Sequence, residues 1–340
     1  MAQPTVLITG ISGFIAKHCA VEMLNAGYAV RGTVRSVTRS AEVMATLAKH
    51  ADVTRLEFAA ADLESDDGWG RAVAGCEYVL HVASPFPARQ PKNEQDLIRP
   101  AVDGTLRVLR AAAAAHVARF VQTSSTAAVF YGHPRERTAP FVEDDWTDVG
   151  HPSVTAYSRS KTLAERAARD FMTRERPELH YASVNPGLVL GPALDPDIGT
   201  SAAIVQMFLK GKYPGAPRMS IAVVDVRDVA RMHRLALETP APSGGRYLGS
   251  AATVWMIDIA RALRQHLGNA ARRVPTRELP DWAVRFAALY DPGARLAVPE
   301  LGKFVAVDTT RTRRELGIEF IPADEAVAAM GRSLIELELV

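Results

Sequence analysis

The sequence predicts an α/β protein: a doubly wound parallel sheet carrying a smaller, mostly helical C-terminal lobe. Three observations lead there. Val6, Leu7 and Ile8 form a short apolar run of the kind buried on both faces of a sheet, and a glycine turn and a helical pattern over 14–26 follow it. The same alternation of strand and helix patterns continues to about residue 190, as parallel βαβ units require. Beyond residue 250 the pattern is mostly helical.

Each element has its own reason. Apolar residues recur at helical spacing over 17–25, and Gly27 is placed to end that helix. Residues 28–35 read as a second strand, 40–50 as a helix and 53–58 as a third strand. A short helix over 67–74 precedes a fourth strand over 78–82, which ends in Ala83-Ser84-Pro85. Residues 97–116 form a long helix whose alanine run, 111–115, is strong helix-forming sequence. A fifth strand covers 119–123, a helix 156–174 and another strand 181–184. Between them, 132–155 is long, polar and rich in Pro, Asp and Gly, which suggests a flap over a pocket. From Gly191 prolines punctuate short elements, with a strand expected over 219–224 and a helix over 226–238. The expected organisation is a nucleotide-binding domain over 1–190, to which 219–250 returns, and a substrate-binding lobe made of 191–218 and 251–340.

The first turn is the organising one. Gly10 permits a tight turn after the strand, and Gly13 has no Cβ, so a pyrophosphate can approach its backbone. The following helix N-terminus offers free N–H groups and partial positive charge to that anion. Ala16 stands where a third small residue packs helix against strand. Strand, glycine turn and helix in this order are the Rossmann-type context in which a glycine motif signifies dinucleotide binding.

Composition narrows the class. The chain has 340 residues, 48% hydrophobic and 23% charged, with a net charge of +2. No dense basic stripe with interleaved aromatics is present, so no nucleic-acid partner is expected. No apolar run is long enough to span a bilayer, so no membrane partner is expected either. The first strand starts almost at once, leaving no room for a signal peptide, and a cytoplasmic location is expected. Cys19 and Cys76 read as two buried, reduced thiols without metal-ligand spacing, so no metal is expected.

Two further groups carry chemistry. Tyr157 and Lys161 are four apart on a predicted helix, so phenol and ammonium share one face. A phenol has an ordinary pKa of about 10 and transfers protons poorly near neutrality. A cation at about 4 Å and an effective dielectric near 20 contributes roughly 4 kcal/mol toward phenolate, so Lys161 is expected to make Tyr157 a usable general acid. Thr123-Ser124-Ser125 sits at the C-terminal end of a predicted parallel strand, where open α/β sheets bind ligands. A hydroxyl there can donate to a carbonyl oxygen as charge builds on it.

With these residues in order, the sequence resembles the extended short-chain dehydrogenase/reductases. Within them it is most similar to the dihydroflavonol reductases, cinnamoyl-CoA reductases and microbial aldehyde and ketone reductases. The motifs TGISGFIA, GTVR, ADL, HVASP, TSS, YSRSK and NPGLVLGP carry the resemblance across most of the chain. It implies Ser125 as the catalytic serine, Tyr157 as general acid, and Lys161 as its partner and a holder of the nicotinamide ribose. It also implies that Gly10, Gly13, Phe14 and Ile15 line the pyrophosphate, with Ser12 in the same loop. Asp62 and Leu63 would border the adenine, Ala83 and Ser84 the ribose, and Pro186, Gly187, Leu188 and Val189 the nicotinamide. Ala16 departs from the glycine of many relatives, a change the position tolerates.

Charge predicts the form of the cofactor. A site for NAD places a carboxylate after the second strand, on the ribose 2′-hydroxyl. Here that strand ends in Arg35, with Arg39 a turn later and no carboxylate between 31 and 40. A guanidinium suits a 2′-phosphate, so NADP(H) is expected. The expected function is reduction of an aldehyde or ketone by NADPH, with Phe86, Thr126, Phe130, Tyr131 and Trp146 as candidate pocket residues and Tyr213 as a candidate cap. Two other readings stay open: an NAD-dependent nucleotide-sugar epimerase or dehydratase on the same scaffold, and a non-catalytic NADPH-sensing regulator. Oligomeric state is also open, a homodimer being one option. No G-x-S-x-G or H-E-x-x-H motif supports a hydrolase.

Overall fold

A computed structural model describes residues 3–85, 93–175, 177–240 and 243–340. In chain order the first half runs β1 (Thr5–Ile8), α1 (Phe14–Asn25), β2 (Ala29–Val34), α2 (Ser40–Leu47), β3 (Leu56–Ala60), α3 (Trp69–Val73), β4 (Tyr78–His81), α4 (Gln95–Ala114), β5 (Arg119–Thr123) and α5 (Ala156–Glu175). The second half runs β6 (His180–Pro186), β7 (Leu188–Leu190), α6 (Ala202–Leu209), β8 (Ala216–Pro217), β9 (Ser220–Asp225), α7 (Val226–Glu238), β10 (Gly245–Gly249), β11 (Ala252–Trp255) and α8 (Met256–Leu267). It closes with β12 (Glu278–Leu279), α9 (Asp281–Ala287), α10 (Pro292–Ala297), α11 (Thr310–Leu316) and α12 (Ala323–Glu336).

Seven strands form one sheet in the order β10-β6-β5-β4-β1-β2-β3, every neighbouring pair parallel. The chain winds outward in both directions from β1, so the strand order reverses between β1 and β4. Successive strand residues point to opposite faces, and this divides the core in two. Val6 and Ile8 belong to the apolar cluster that includes α1 and α7, whereas Leu7 belongs to the one that includes Trp69 of α3, Leu109 of α4, Ala168 of α5 and Phe120 of β5. All three β1 side chains are fully buried, as the unbroken apolar run requires. Gly32 in β2 admits the glycine loop: a Cβ there would lie 2.4 Å from Ile11 Cδ1.

A second sheet, β11-β9-β7, carries the structure away from the first. The strand expected over 219–224 forms as β9, but it pairs with β7 and β11 and does not join the main sheet. The chain returns to the main sheet through α7 and β10. A period-2 pattern identifies a strand but not its partners. Helices α8 and α12 pack on each other below this second sheet.

The segment 132–155 contains no helix or strand, as expected, but it is fastened down. Phe141 N donates to Ala306 O and Asp308 N to Phe141 O, both at 2.8 Å. Arg137 forks onto Asp145 at 2.7 and 2.8 Å, and Thr147 N donates to Ala128 O at 3.0 Å. These bonds tie the segment expected as a flap to distant parts of the chain. Cys19 and Cys76 are both buried and unpaired, and burial pushes both thiols up, away from thiolate. Among the described residues no helix is long and apolar enough to cross a membrane, and no cluster of His, Cys, Asp or Glu is placed to hold a metal ion.

Candidate active site

The crevice lies at the C-terminal edge of the seven strands, where the strand order reverses. Gly10 has φ +64°, and a Cβ there would lie 2.9 Å from Ala83 Cβ. The loop after β1 thus lies directly against the end of β4. Gly10 N donates to Thr33 Oγ1 at 2.9 Å, and Ala83 N to Thr9 Oγ1 at 2.9 Å. Thr9 Oγ1 also meets His81 Nδ1 at 3.0 Å. Gly13 caps α1 in extended conformation with no side chain bonded to the helix end and no acid in the first turn. The first-turn N–H groups, at Phe14, Ile15 and Ala16, have no intrahelical acceptor. Ser12 on this loop and Ile15 in the first turn of α1 are partly exposed. An anion fits here: donors and partial positive charge face outward, and no side chain competes for them. One feature escaped sequence reading: the segment after β7 crosses the start of α1. His18 Nε2 meets Pro192 O at 2.9 Å, Lys17 pairs with Asp195, and Gly199 lies over Phe14.

Arg35 is exposed at the end of β2, and its side chain has no hydrogen bond or ion pair with any described residue. Arg39 is exposed too, but it shares its charge with Asp197 at 3.5 Å and Glu42 at 3.8 Å. Asp62 shapes the turn after β3, accepting Glu64 N at 3.0 Å on its carboxylate and Trp69 Nε1 at 2.9 Å on its carbonyl. Leu63 beside it packs on Gly104. Ala83 and Ser84 are partly buried at the end of β4. Pro186 closes β6, and Gly187 is the crossing between the two sheets: a Cβ there would lie 2.4 Å from Ala222 O. Leu188 is partly buried, and Val189 is buried in the core beneath the second sheet.

The three hydroxyls after β5 diverge. Thr123 Oγ1 meets His233 Nε2 at 2.7 Å, and Ser124 Oγ donates to Glu165 Oε2 at 2.6 Å. Ser125 Oγ accepts Ala127 N at 3.0 Å, points at Pro186 O at 3.4 Å and hydrogen-bonds the Tyr157 phenol. Only the third therefore reaches the crevice with Tyr157.

Helix α5 brings Tyr157 and Lys161 to that crevice one turn apart. Burial holds the Tyr157 phenol above its ordinary value, while the Ser125 hydrogen bond pulls it down. Burial lowers Lys161 to about 8, opposed by the charge of Glu165. Desolvation drives both groups toward their neutral forms. Lys161 does reach His81, which burial and then the lysine charge push down to about 3.

A cleft of about 390 Å³ is lined by Phe130, Tyr131, Phe141, Glu300, Phe304 and Val305 among others. Burial raises the Tyr131 phenol, with Glu300 and Tyr157 adding to it. Other pocket candidates stand elsewhere. Thr126 is buried in a short turn after Ser125, and Trp146 lies against the Arg246 guanidinium at 3.8 Å. Tyr213 donates to Met207 Sδ at 3.3 Å and packs on Phe208, so it does not cap this cleft. Phe86 lies outside the described residues.

The model of the NAD dependent epimerase/dehydratase family matches residues 6–248. The chain belongs to that family. Within this epimerase/dehydratase family it is an oxidoreductase of the extended short-chain dehydrogenase/reductase type, as its curated relatives are. A ketoreductase, azaE of Aspergillus niger, is 32% identical over 97% of both chains. Cinnamoyl-CoA reductase CAD2 of Medicago truncatula is 32% identical over 97% of this chain and 95% of its own. Among solved structures, Gre2 of Candida albicans in complex with NADPH aligns with a TM-score of 0.80 and 25% identity, over 98% of this chain and 99% of that one.

Proposed function

We propose that this chain is an NADPH-dependent carbonyl reductase acting on an aldehyde or ketone, with Ser125, Tyr157 and Lys161 as its catalytic set. The observation that carries the reading is the Ser125–Tyr157 hydrogen bond, formed at the C-terminal edge of the same parallel sheet as the uncapped glycine loop. Bound in that crevice, NADPH supplies a hydride to the carbonyl carbon. Every other part of the task falls to side chains and backbone. Gly10, Ser12, Gly13, Phe14 and Ile15 hold the pyrophosphate by backbone donors. Asp62, Leu63, Ala83 and Ser84 border the adenosine half, and Pro186, Gly187, Leu188 and Val189 the nicotinamide half. Lys161 holds the ribose hydroxyls. Ser125 donates to the carbonyl oxygen, and Tyr157 delivers the proton to it. Phe130, Tyr131 and Phe141 wall the cleft and exclude water. Residues 191–218 and 251–340 supply the substrate side, and β9 joins them.

The second relevant observation is Arg35. An exposed guanidinium without a partner among the described residues, at the end of β2, favours a 2′-phosphate over a 2′-hydroxyl. The relative Gre2, solved as an NADPH complex, is consistent with this choice. Following NADPH absorbance against a panel of aldehydes, ketones and β-ketoesters tests the reading. Turnover with NADPH well above that with NADH is expected. NAD retained through purification, with no carbonyl reduced, would favour the epimerase/dehydratase alternative instead. Arg35→Glu is expected to raise KM for NADPH roughly 10- to 100-fold with little change in kcat, because a charge-assisted contact becomes a repulsion. An unchanged KM would remove Arg35 from the site.

A further inference from the structure

Directly behind Ser125 and Lys161 lies a buried ionic cluster that the proposed reaction does not itself use. Glu165 follows Lys161 by one turn of α5 and is fully buried. Its Oε2 accepts Ser124 Oγ at 2.6 Å and Asn185 Nδ2 at 2.8 Å. Its Oε1 accepts Arg246 Nε at 2.7 Å, Ser183 Oγ at 3.0 Å and Arg169 Nε at 3.2 Å. Asn185 Nδ2 also donates to the carbonyl of Ser125 at 3.2 Å. Arg246, itself buried, donates to the carbonyls of Glu143, Asp145 and Ala128 at 2.7, 2.5 and 3.1 Å, and stacks on Trp146. One carboxylate thus joins α5, β5, β6 and β10 to the segment 132–155.

We propose that Glu165 is a positioning residue for the reaction: its carboxylate supplies the counter-charge to Lys161 and, through Asn185, holds the Ser125 backbone in place. The inference rests on Lys161 serving the reaction as proposed above. A buried ion pair kept only for packing would need neither the turn spacing to Lys161 nor the shared amide of Asn185. Among the described residues, the titratable groups around Lys161 include Tyr157 and Glu165 from its own helix and His81 from β4; α4, packed along α5, adds the neutral Thr105 hydroxyl on His81. Arg169 and Arg246 stand beyond Glu165. Burial by itself would raise the Glu165 carboxyl, but Arg246, Arg169, Ser124 and Asn185 hold it below the ordinary range, so the counter-charge persists at neutral pH. That charge is what opposes the loss of the Lys161 proton.

Two curves test this: the pH dependence of kcat, and the titration of the Lys161 side chain by the 13Cε shift in lysine-labelled protein, assigned with Lys161→Arg. A cation supported by Glu165 is present below its pKa and lost as pH rises through it, so kcat falls on the alkaline side. Glu165→Gln is expected to move both the fall and the titration about one pH unit toward acid. Arg246→Lys keeps the charge but loses the fork and the stack on Trp146, so it is expected to lower the thermal midpoint while both curves stay in place. If Glu165→Gln does not fold, the paired Glu165→Gln/Arg246→Met leaves no lone buried charge and is expected to show the same acid shift. Curves superimposed on the parent's in whichever of the two folds would overturn the proposal. An equal shift from Arg246→Lys would do so too, by assigning the effect to packing. The titration needs no substrate, so a protein that reduces no carbonyl would refute the reductase reading and still decide the role of Glu165.

Discussion

Replacing Tyr157 by Phe is expected to lower kcat by about 10²- to 10⁴-fold, the range lost with a positioned general acid. The variant removes one oxygen and keeps the ring, so packing on α5 is conserved. Its stability should fall by only about 1 kcal/mol, from the hydrogen bond that Ser125 makes to the phenol. KM for NADPH should stay close to that of the parent, because the glycine loop and Arg35 are untouched. Burial raises the phenol and the Ser125 hydrogen bond opposes that rise. Tyr157 is therefore held toward its neutral form and gives up its proton to a developing alkoxide. Steady-state kinetics at saturating NADPH and carbonyl measure the effect. Equal kcat for variant and parent would remove Tyr157 from the chemistry.

Gly187→Ala is expected to destabilise the protein by about 2–4 kcal/mol, at or beyond the upper end of ordinary overpacking. The added Cβ would lie 2.4 Å from Ala222 O, 2.9 Å from Ala222 C and 3.1 Å from Ala222 Cβ. The first two of these are backbone of β9, so no side chain can rotate away. Gly187 N is meanwhile held by Gly249 O at 2.9 Å, which blocks the opposite movement. Relief requires the second sheet to shift from the first, and the Pro186 carbonyl facing Ser125 shifts with it, so kcat should fall as well. Gly70 in α3 is the control: a Cβ there meets nothing within 4 Å, and Ala should be neutral or stabilising by up to about 1 kcal/mol. Urea unfolding of both variants reads the difference as a lowered midpoint at constant slope. A Gly187→Ala midpoint matching the parent's would show that the crossing is looser than its contacts imply.

Much of the main sheet was legible because its signals are local. Val6-Leu7-Ile8, Gly10 and the helix after Gly13 occupy one short stretch, and each follows from backbone sterics or burial. Helix α5 and the Tyr157–Lys161 spacing were legible for the same reason, since helical periodicity alone puts the two on one face. Strand β3 was displaced by a few residues, from 53–58 to Leu56–Ala60, because Val53 offers the same apolar signal as the strand proper. Trp146 was legible as an aromatic residue but not as the platform for Arg246, a residue 100 positions away. Tyr213 looked like a cap on a flexible turn, yet its hydroxyl is spent on Met207.

By itself the sequence determined the alternating α/β architecture, the glycine loop, the guanidinium at the end of β2 and the identity of the candidate reacting residues. Each of these is set by residues within a turn or two of one another. Tertiary structure alone decided that β9 leaves the main sheet and where the backbone of 132–155 finds its partners. It also decided the electrostatics: Glu165, Asn185 and Arg246 meet only when α5, β6 and β10 pack together. The charge state of Lys161 depends on the desolvation that this packing creates, and desolvation has no counterpart in the order of residues along a chain.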